Sequence, residues 1–320
     1  MRRSFLPALA AIFLAAAPLG ACVTREIPFA ELNTRYGLPA SHRFEPQPGL
    51  IVHYTDEGNP AGRTLILVHG FAASVHAWRP WIERLAADYR LIAIDLPGHG
   101  LTEAPKGYRA TLEGNAGLID SLADHAHVSR FVLAGHSMGG AVSLGYAMSR
   151  PERLDALVLV DSAGWPGEDG RKSSGPPAFV QLLINNPVGR TIAKWFDPRL
   201  FAGGGLKSAY LDETMVTDAV VDRYAELALA PGHREILLTQ QSRPAKRVTG
   251  DDFRKIAMPT LVLAGEKDKL IPTEDARAIA AAIPGARIVT FPEGGHLPME
   301  QLPDQSAKDL RDFLKSLPPR

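Results

Sequence analysis

Residues 131–140 read Phe-Val-Leu-Ala-Gly-His-Ser-Met-Gly-Gly, an apolar run that meets a helix-like segment at a G-x-S-x-G turn. No other stretch of the chain restricts the fold so tightly. A serine at the bend between a buried strand and a helix holds its hydroxyl clear of the sheet, and small residues two before and two after it let the two elements approach. Gly135 and Gly139 fill those places around Ser137. The same bend puts Ser137 at a helix N-terminus, where unsatisfied backbone N–H groups and the helix dipole favour negative charge. A negatively charged oxygen formed beside this serine is provided for in advance.

The run before the serine is one of a series. Segments rich in Val, Leu and Ile recur at 50–54, 65–69, 91–95, 131–135, 156–160, 260–264 and 287–291, with helical patterns at 78–87, 116–125, 138–149, 274–283 and 305–317. Short apolar runs alternating with helices predict buried parallel strands, hence an α/β fold with a doubly wound, mostly parallel sheet. The interval from Val160 to Thr260 is far longer than a strand crossover needs. It opens on a Gly/Pro/Ser-rich stretch, then carries Phe179, Leu182, Leu183, Ile192, Trp195 and Phe196, and later the helical patterns 220–229 and 235–240. An inserted helical cap over 163–255 is therefore expected, dividing the core into 44–162 and 256–320. Lys plus Arg and Asp plus Glu both number 35, so no charge excess favours nucleic acid or another polyanion.

At the N-terminus, Arg2 and Arg3 precede an apolar stretch, Phe5 to Leu19, that is short for a membrane span and interrupted by Pro7 and Pro18. It reads as an export signal, residues 1–21. The stretch ends in Leu-Gly-Ala-Cys at 19–22, and Cys22 is the only cysteine in the chain. These residues resemble a bacterial lipoprotein signal, which implies cleavage before Cys22, its acylation, and a membrane-anchored protein of the cell envelope, on the periplasmic face of an outer membrane. Arg2-Arg3 also fits a twin-arginine signal. Residues 22–43 contain Pro28 and Pro39 with little periodicity, and Pro46 and Pro48 follow, so the segment is expected to be a tether.

A serine hydroxyl is a weak nucleophile near neutral pH and needs a base, which in turn needs an orienting partner. His136 is next to the serine on a strained turn and must project elsewhere. His296, in Phe-Pro-Glu-Gly-Gly-His-Leu-Pro immediately after the last predicted strand, is the better candidate. Asp268 lies just past the preceding strand in Gly-Glu-Lys-Asp and is the expected acid; Glu266 in the same loop and Asp161 after the strand ending at Val160 are alternatives. The oxyanion donors expected are the backbone N–H groups of Met138 and of Phe71, the latter in His-Gly-Phe after an earlier strand, with its ring lining the pocket. The turn Asp95-Leu-Pro-Gly-His-Gly100 reads as scaffold.

Taken in order, H-G-F at 69–71, D-L-P-G-H-G at 95–100, G-H-S-M-G-G at 135–140, G-E-K-D at 265–268 and G-G-H-L-P at 294–298 resemble the α/β-hydrolase superfamily, in its branch with a helical cap. The resemblance implies Ser137 as nucleophile, His296 as base, Asp268 as orienting acid, and Phe71 and Met138 as backbone donors to the oxyanion. Relatives that open epoxides or remove halides carry an aspartate at the serine's place, so Ser137 disfavours those reactions. A carboxylesterase or small lipase is expected, with a small-molecule ester bearing an apolar portion as substrate. Cleavage of a carbon–carbon bond or an amide by the same residues is the alternative, and a non-catalytic envelope lipoprotein a third. No cofactor, metal or obligate protein partner is implied, since the histidines lack ligand spacing such as HExxH.

Overall fold

A computed structural model describes residues 25–166, 186, 197–239 and 249–319. The strands are β1 (Ser41–Gln47), β2 (Leu50–Gly58), β3 (Thr64–Val68), β4 (Arg90–Ile94), β5 (Phe131–His136), β6 (Leu154–Val160), β7 (Thr260–Gly265) and β8 (Arg287–Phe291), joined in one sheet of order β1-β2-β4-β3-β5-β6-β7-β8. Only the pairings of β2 with β1 and with β4 are antiparallel; β3 through β8 run parallel. The parallel strands are apolar at nearly every position because helices cover both faces.

Alternate residues of one strand therefore serve two cores. Ile66 and Val68 of β3 join Ile92, Ile94 and Leu133 beneath helices α3 (Leu112–His125) and α4 (Met138–Ser149). Leu65 and Leu67 join Leu91, Val132, Trp78 and Trp81 on the opposite face, where α2 (Arg79–Leu85) and the last helix, Pro303–Lys315, pack. Trp81 Nε1 donates to Ser306 Oγ at 2.9 Å and ties these two helices together.

The structure corrects the expected tether at its C-terminal part. Residues Phe29–Tyr36 form helix α1, and Leu32 on its inner face is fully buried against Leu101, Leu227 and Ala230. Three of the four prolines mark element ends, and the fourth a break in register. Pro28 stands at the N-cap of α1, Pro39 lies in the turn before β1, Pro46 sits where the register of the edge strand shifts, and Pro48 precedes Gly49 (φ 78°) in the hairpin to β2. An edge strand tolerates proline because one row of its N–H groups has no ladder partner. That hairpin strand, β1, was not anticipated from the sequence, since its residues do not form a continuous apolar run.

Helices Arg199–Ala209, Asp218–Ala228, His233–Thr239 and Gly250–Phe253 occupy the interval between β6 and β7. Glu226 joins this cap to the N-terminal helix: one carboxylate oxygen accepts from Arg199 at 2.8 Å, and the other from Arg35 at 2.6 Å and Tyr36 Oη at 2.8 Å. Residues 1–21, Cys22, Phe179, Leu182, Leu183, Ile192, Trp195 and Phe196 lie outside the described residues. Among the described residues no helix is long and apolar enough to cross a membrane.

Candidate active site

Ser137 follows β5 and precedes α4 with φ 52° and ψ −117°, a conformation that side chains other than glycine's seldom adopt. The close packing around it explains why the turn survives. A Cβ on Gly139 would stand 2.2 Å from the Val68 carbonyl oxygen, and one on Gly135 would stand 2.3 Å from the Gly139 carbonyl oxygen. Only hydrogen fits at either place. The Ser137 N–H donates to Val160 O, and its own carbonyl accepts from Gly140 and Ala141 of α4 and from Ala163 after β6.

The loop after β3 presses on the same turn. A Cβ on Gly70 would lie 3.1 Å from Ser137 Cβ and 2.7 Å from His136 Nδ1, so the backbone of His69-Gly70-Phe71 runs directly beside the serine. The Phe71 ring is 56% exposed and meets His99 edge-on at 6.1 Å. Ala72 is held at φ 58° in this loop.

His296 and Asp268 come together on the loops after β8 and β7. His296 Nδ1 lies 2.7 Å from Asp268 Oδ2, and Asp268 Oδ1 accepts from the main-chain N–H groups of Leu270 at 2.7 Å and Ile271 at 3.0 Å. With Nδ1–H given to the carboxylate, Nε2 is the ring nitrogen with a lone pair. Of the alternatives for the acid, Glu266 turns away to Thr290 Oγ1 (2.7 Å) and Arg277 (3.2 Å), whereas Asp161 faces Asp268 from the end of β6.

His136 does project away from the serine's outer side, as its place on the turn requires, but into a contact the sequence did not reveal. Its Nε2 lies 2.7 Å from the His296 carbonyl oxygen, and the two rings are 4.7 Å apart. A carbonyl only accepts, so Nε2 carries the proton. Burial first, and then the neighbouring His296, hold the His136 imidazole well below its ordinary pKa, so it stays neutral. The cap adds a further constraint. The His296 N–H donates to Ala209 O at 3.0 Å, and Tyr210 Oη donates to Glu300 Oε2 at 2.7 Å.

The turn after β4 is scaffold in the structure too. Asp95 pairs with His53 Nδ1 at 2.7 Å, not with His99, and accepts the main-chain N–H groups of Val75 (2.8 Å) and Leu101 (2.9 Å). Among the described residues no group of three or more His, Cys, Asp or Glu side chains is arranged to hold a metal ion.

A profile described as "Alpha/beta hydrolase family" matches residues 65–309. The chain is 29% identical over 271 residues to an uncharacterized hydrolase, YugF, of Bacillus subtilis, covering 83% of this chain and 95% of that protein. It is 29% identical over 269 residues to Lipase 1 of Psychrobacter immobilis, covering 81% and 79%. Among solved structures, the 2-hydroxy-6-oxo-6-phenylhexa-2,4-dienoate hydrolase of Rhodococcus sp. strain RHA1 superposes with a TM-score of 0.71 at 25% identity, over 86% of this chain and 98% of that one.

Proposed function

The chain belongs to the alpha/beta hydrolase family, and from that premise we propose that it is a serine hydrolase of carboxylic esters, with Ser137 as nucleophile, His296 as base and Asp268 as its orienting acid. The observation that carries this reading is the 2.7 Å bond from His296 Nδ1 to Asp268 at the sheet edge where Ser137 stands in its strained turn. Ser137 Oγ adds to the ester carbonyl while His296 Nε2 takes its proton. The tetrahedral oxyanion is met by the N–H groups of Met138, at the start of α4, and Phe71. His296 then protonates the leaving alcohol, and water, activated by the same nitrogen, releases the acid from the acyl-enzyme.

Similarity to a lipase supports ester cleavage, and the apolar positions of the cap are consistent with a substrate carrying a hydrophobic acyl or aryl part. Similarity to a hydrolase of a ring-fission dienoate keeps carbon–carbon cleavage as the second reading. A panel of chromogenic esters of increasing acyl length, run beside a vinylogous diketone, separates the two. Ester turnover that vanishes in Ser137→Ala, together with labelling of Ser137 by a fluorophosphonate, supports the proposal; ester turnover that survives in Ser137→Ala defeats it.

Acylation at Cys22, and with it membrane anchoring in the cell envelope, belongs to this proposal. Ile27 N–H is bonded to Leu229 O of the cap at 2.9 Å, so only four residues, a reach of at most about 18 Å, would separate the lipid-bearing residue from that contact. Cys22→Ser is expected to release the protein from the membrane fraction, and unchanged retention counts against acylation.

A further inference from the structure

Asp161 is an aspartate that the hydrolytic scheme above does not use, set in a place built for it. It follows β6 with φ 40°, its N–H donates to Leu263 O at 2.9 Å, and the residue is 2% exposed. Its Oδ1 accepts the Gly265 N–H at 2.9 Å, so the side chain bridges the ends of β6 and β7. Its Oδ2 is buried and receives no N–H or O–H from any described nitrogen or hydroxyl. The group it faces is the carboxyl of Asp268.

Two carboxylates in contact inside a protein cannot both remain ionised, and a buried carboxylate oxygen without a donor is costly on its own account. A single proton between them removes both difficulties. The hydrogen-bond census decides which residue holds it. Asp268 accepts three N–H donors, from Leu270, Ile271 and His296, whereas Asp161 accepts one, from Gly265. Donors stabilise the ionised form, so Asp268 keeps the charge and Asp161 the proton.

We propose that Asp161 is a positioning residue that acts as a neutral carboxyl, donating Oδ2–H to Asp268 and thereby fixing the carboxylate that orients His296. Burial, and after it the charge of Asp268, push the Asp161 carboxyl well above the usual carboxylate range, in keeping with that geometry. The titratable groups on its far side are Asp268, on the loop after β7, and behind it His296, on the loop after β8. Sharing one proton leaves a single negative charge behind His296. The charge that stabilises the imidazolium during turnover is thus present but not doubled, and the carboxylate cannot rotate off the ring without breaking a fourth hydrogen bond.

The inference rests on the reading of Ser137, His296 and Asp268 as a triad, and the test keeps the two separable. Wild type, Asp161→Asn, Asp161→Ala and Ser137→Ala are compared for kcat and KM on one chromogenic ester from about pH 6 to about pH 10, with folding followed by circular dichroism. The Asn amide keeps both an acceptor for Gly265 and a donor for Asp268. Asp161→Asn is therefore expected to hold kcat within about threefold of wild type across that range. Asp161→Ala is expected to lower kcat about 10- to 100-fold with KM little changed, as loss of an outer-shell partner does elsewhere. A folded Asp161→Asn as impaired as Asp161→Ala would mean that the charge is needed, and overturns the proposal. So does an Asp161→Ala with wild-type kcat beside an inert Ser137→Ala. Should Asp161→Ala not fold, Asp161→Asn decides alone, a fall in kcat of about tenfold or more with unchanged folding being the adverse result. Full activity in Ser137→Ala brings down the triad reading and this proposal with it.

Discussion

The Nε2–H of His136 donates to the main-chain oxygen of His296 at 2.7 Å, joining the residue before the turn serine to the loop that carries the proposed base. The turn of Ser137 and the loop of His296, 160 residues apart at the bonded pair, are thus joined by a buried bond. Replacing His136 by Phe leaves the His296 carbonyl without that donor, which costs about 1–3 kcal/mol and lets the loop shift. We expect a lower melting temperature and a fall of about tenfold or more in kcat, with the larger share in kcat rather than KM. Thermal melts and steady-state kinetics on the same preparation check both.

Space beside the serine is equally restricted. A methyl group at Gly70 would meet His136 Nδ1 at 2.7 Å and Ser137 Cβ at 3.1 Å, so the imidazole and the serine turn must each give by a few tenths of an ångström. At Gly139 it would meet two carbonyl oxygens, of Val68 at 2.2 Å and His69 at 2.5 Å, which are backbone and cannot yield. Gly70→Ala is expected to fold with ester hydrolysis reduced about tenfold, and Gly139→Ala to fail to fold. Expression yield and circular dichroism distinguish the two.

Strain at the serine itself has a measurable cost. The φ of 52° and ψ of −117° at Ser137 suit glycine, so Ser137→Gly abolishes hydrolysis while raising stability by about 1 kcal/mol, the relieved strain outweighing the greater freedom of the unfolded chain. Ser137→Ala loses activity without that gain. A melting temperature for Ser137→Gly no higher than that of Ser137→Ala would contradict this account.

Glu300 makes stability depend on pH. Burial pushes its carboxyl up to about 7 from 4.5, outweighing the hydrogen bond from Tyr210 that favours the charged form. The folded protein therefore binds this proton more tightly than the unfolded chain does. The stabilisation is complete below about pH 4.5 and is lost as pH rises through about 7. Glu300→Gln removes the titration, and its advantage over wild type is expected to open between these values and to reach, at most, on the order of 3 kcal/mol. Melting curves of both proteins at mildly acidic and mildly alkaline pH supply the comparison.

Glu226 is the joint between α1 and the cap, contacting Arg35, Tyr36 and Arg199. Glu226 is 8% exposed, but the arginines are 44% and 37% exposed at their side chains, so solvent screens part of each pair. Glu226→Ala is expected to cost about 1–2 kcal/mol. It should also speed hydrogen exchange in 29–36 more than in the sheet.

Much of this was readable from the chain because it depends on local chemistry. The strand runs are apolar throughout because both faces are covered, and the serine turn announces itself by glycines that no other residue can replace. Asp268 and His296 were legible from their place just after strands, since a parallel sheet gathers the ends of its strands at one edge. What the sequence pattern obscured was the N-terminal segment. Its prolines resemble those of a linker, yet most stand at element boundaries, and one buried leucine, Leu32, fastens α1 to the cap.

From sequence alone came the fold class, the family resemblance, Ser137 and His296 of the proposed triad and a preference for Asp268 among three carboxylates, because spacing along strands and turns is a local property. Only the tertiary structure decided which carboxylate holds His296, that His136 carries the His296 carbonyl, that Ala209 of the cap accepts the His296 N–H, and that Asp161 faces Asp268. Each of these is a hydrogen bond or a contact between segments distant in the chain. Such partners are chosen by how the sheet edge and the cap pack together, and no periodicity in the sequence records them.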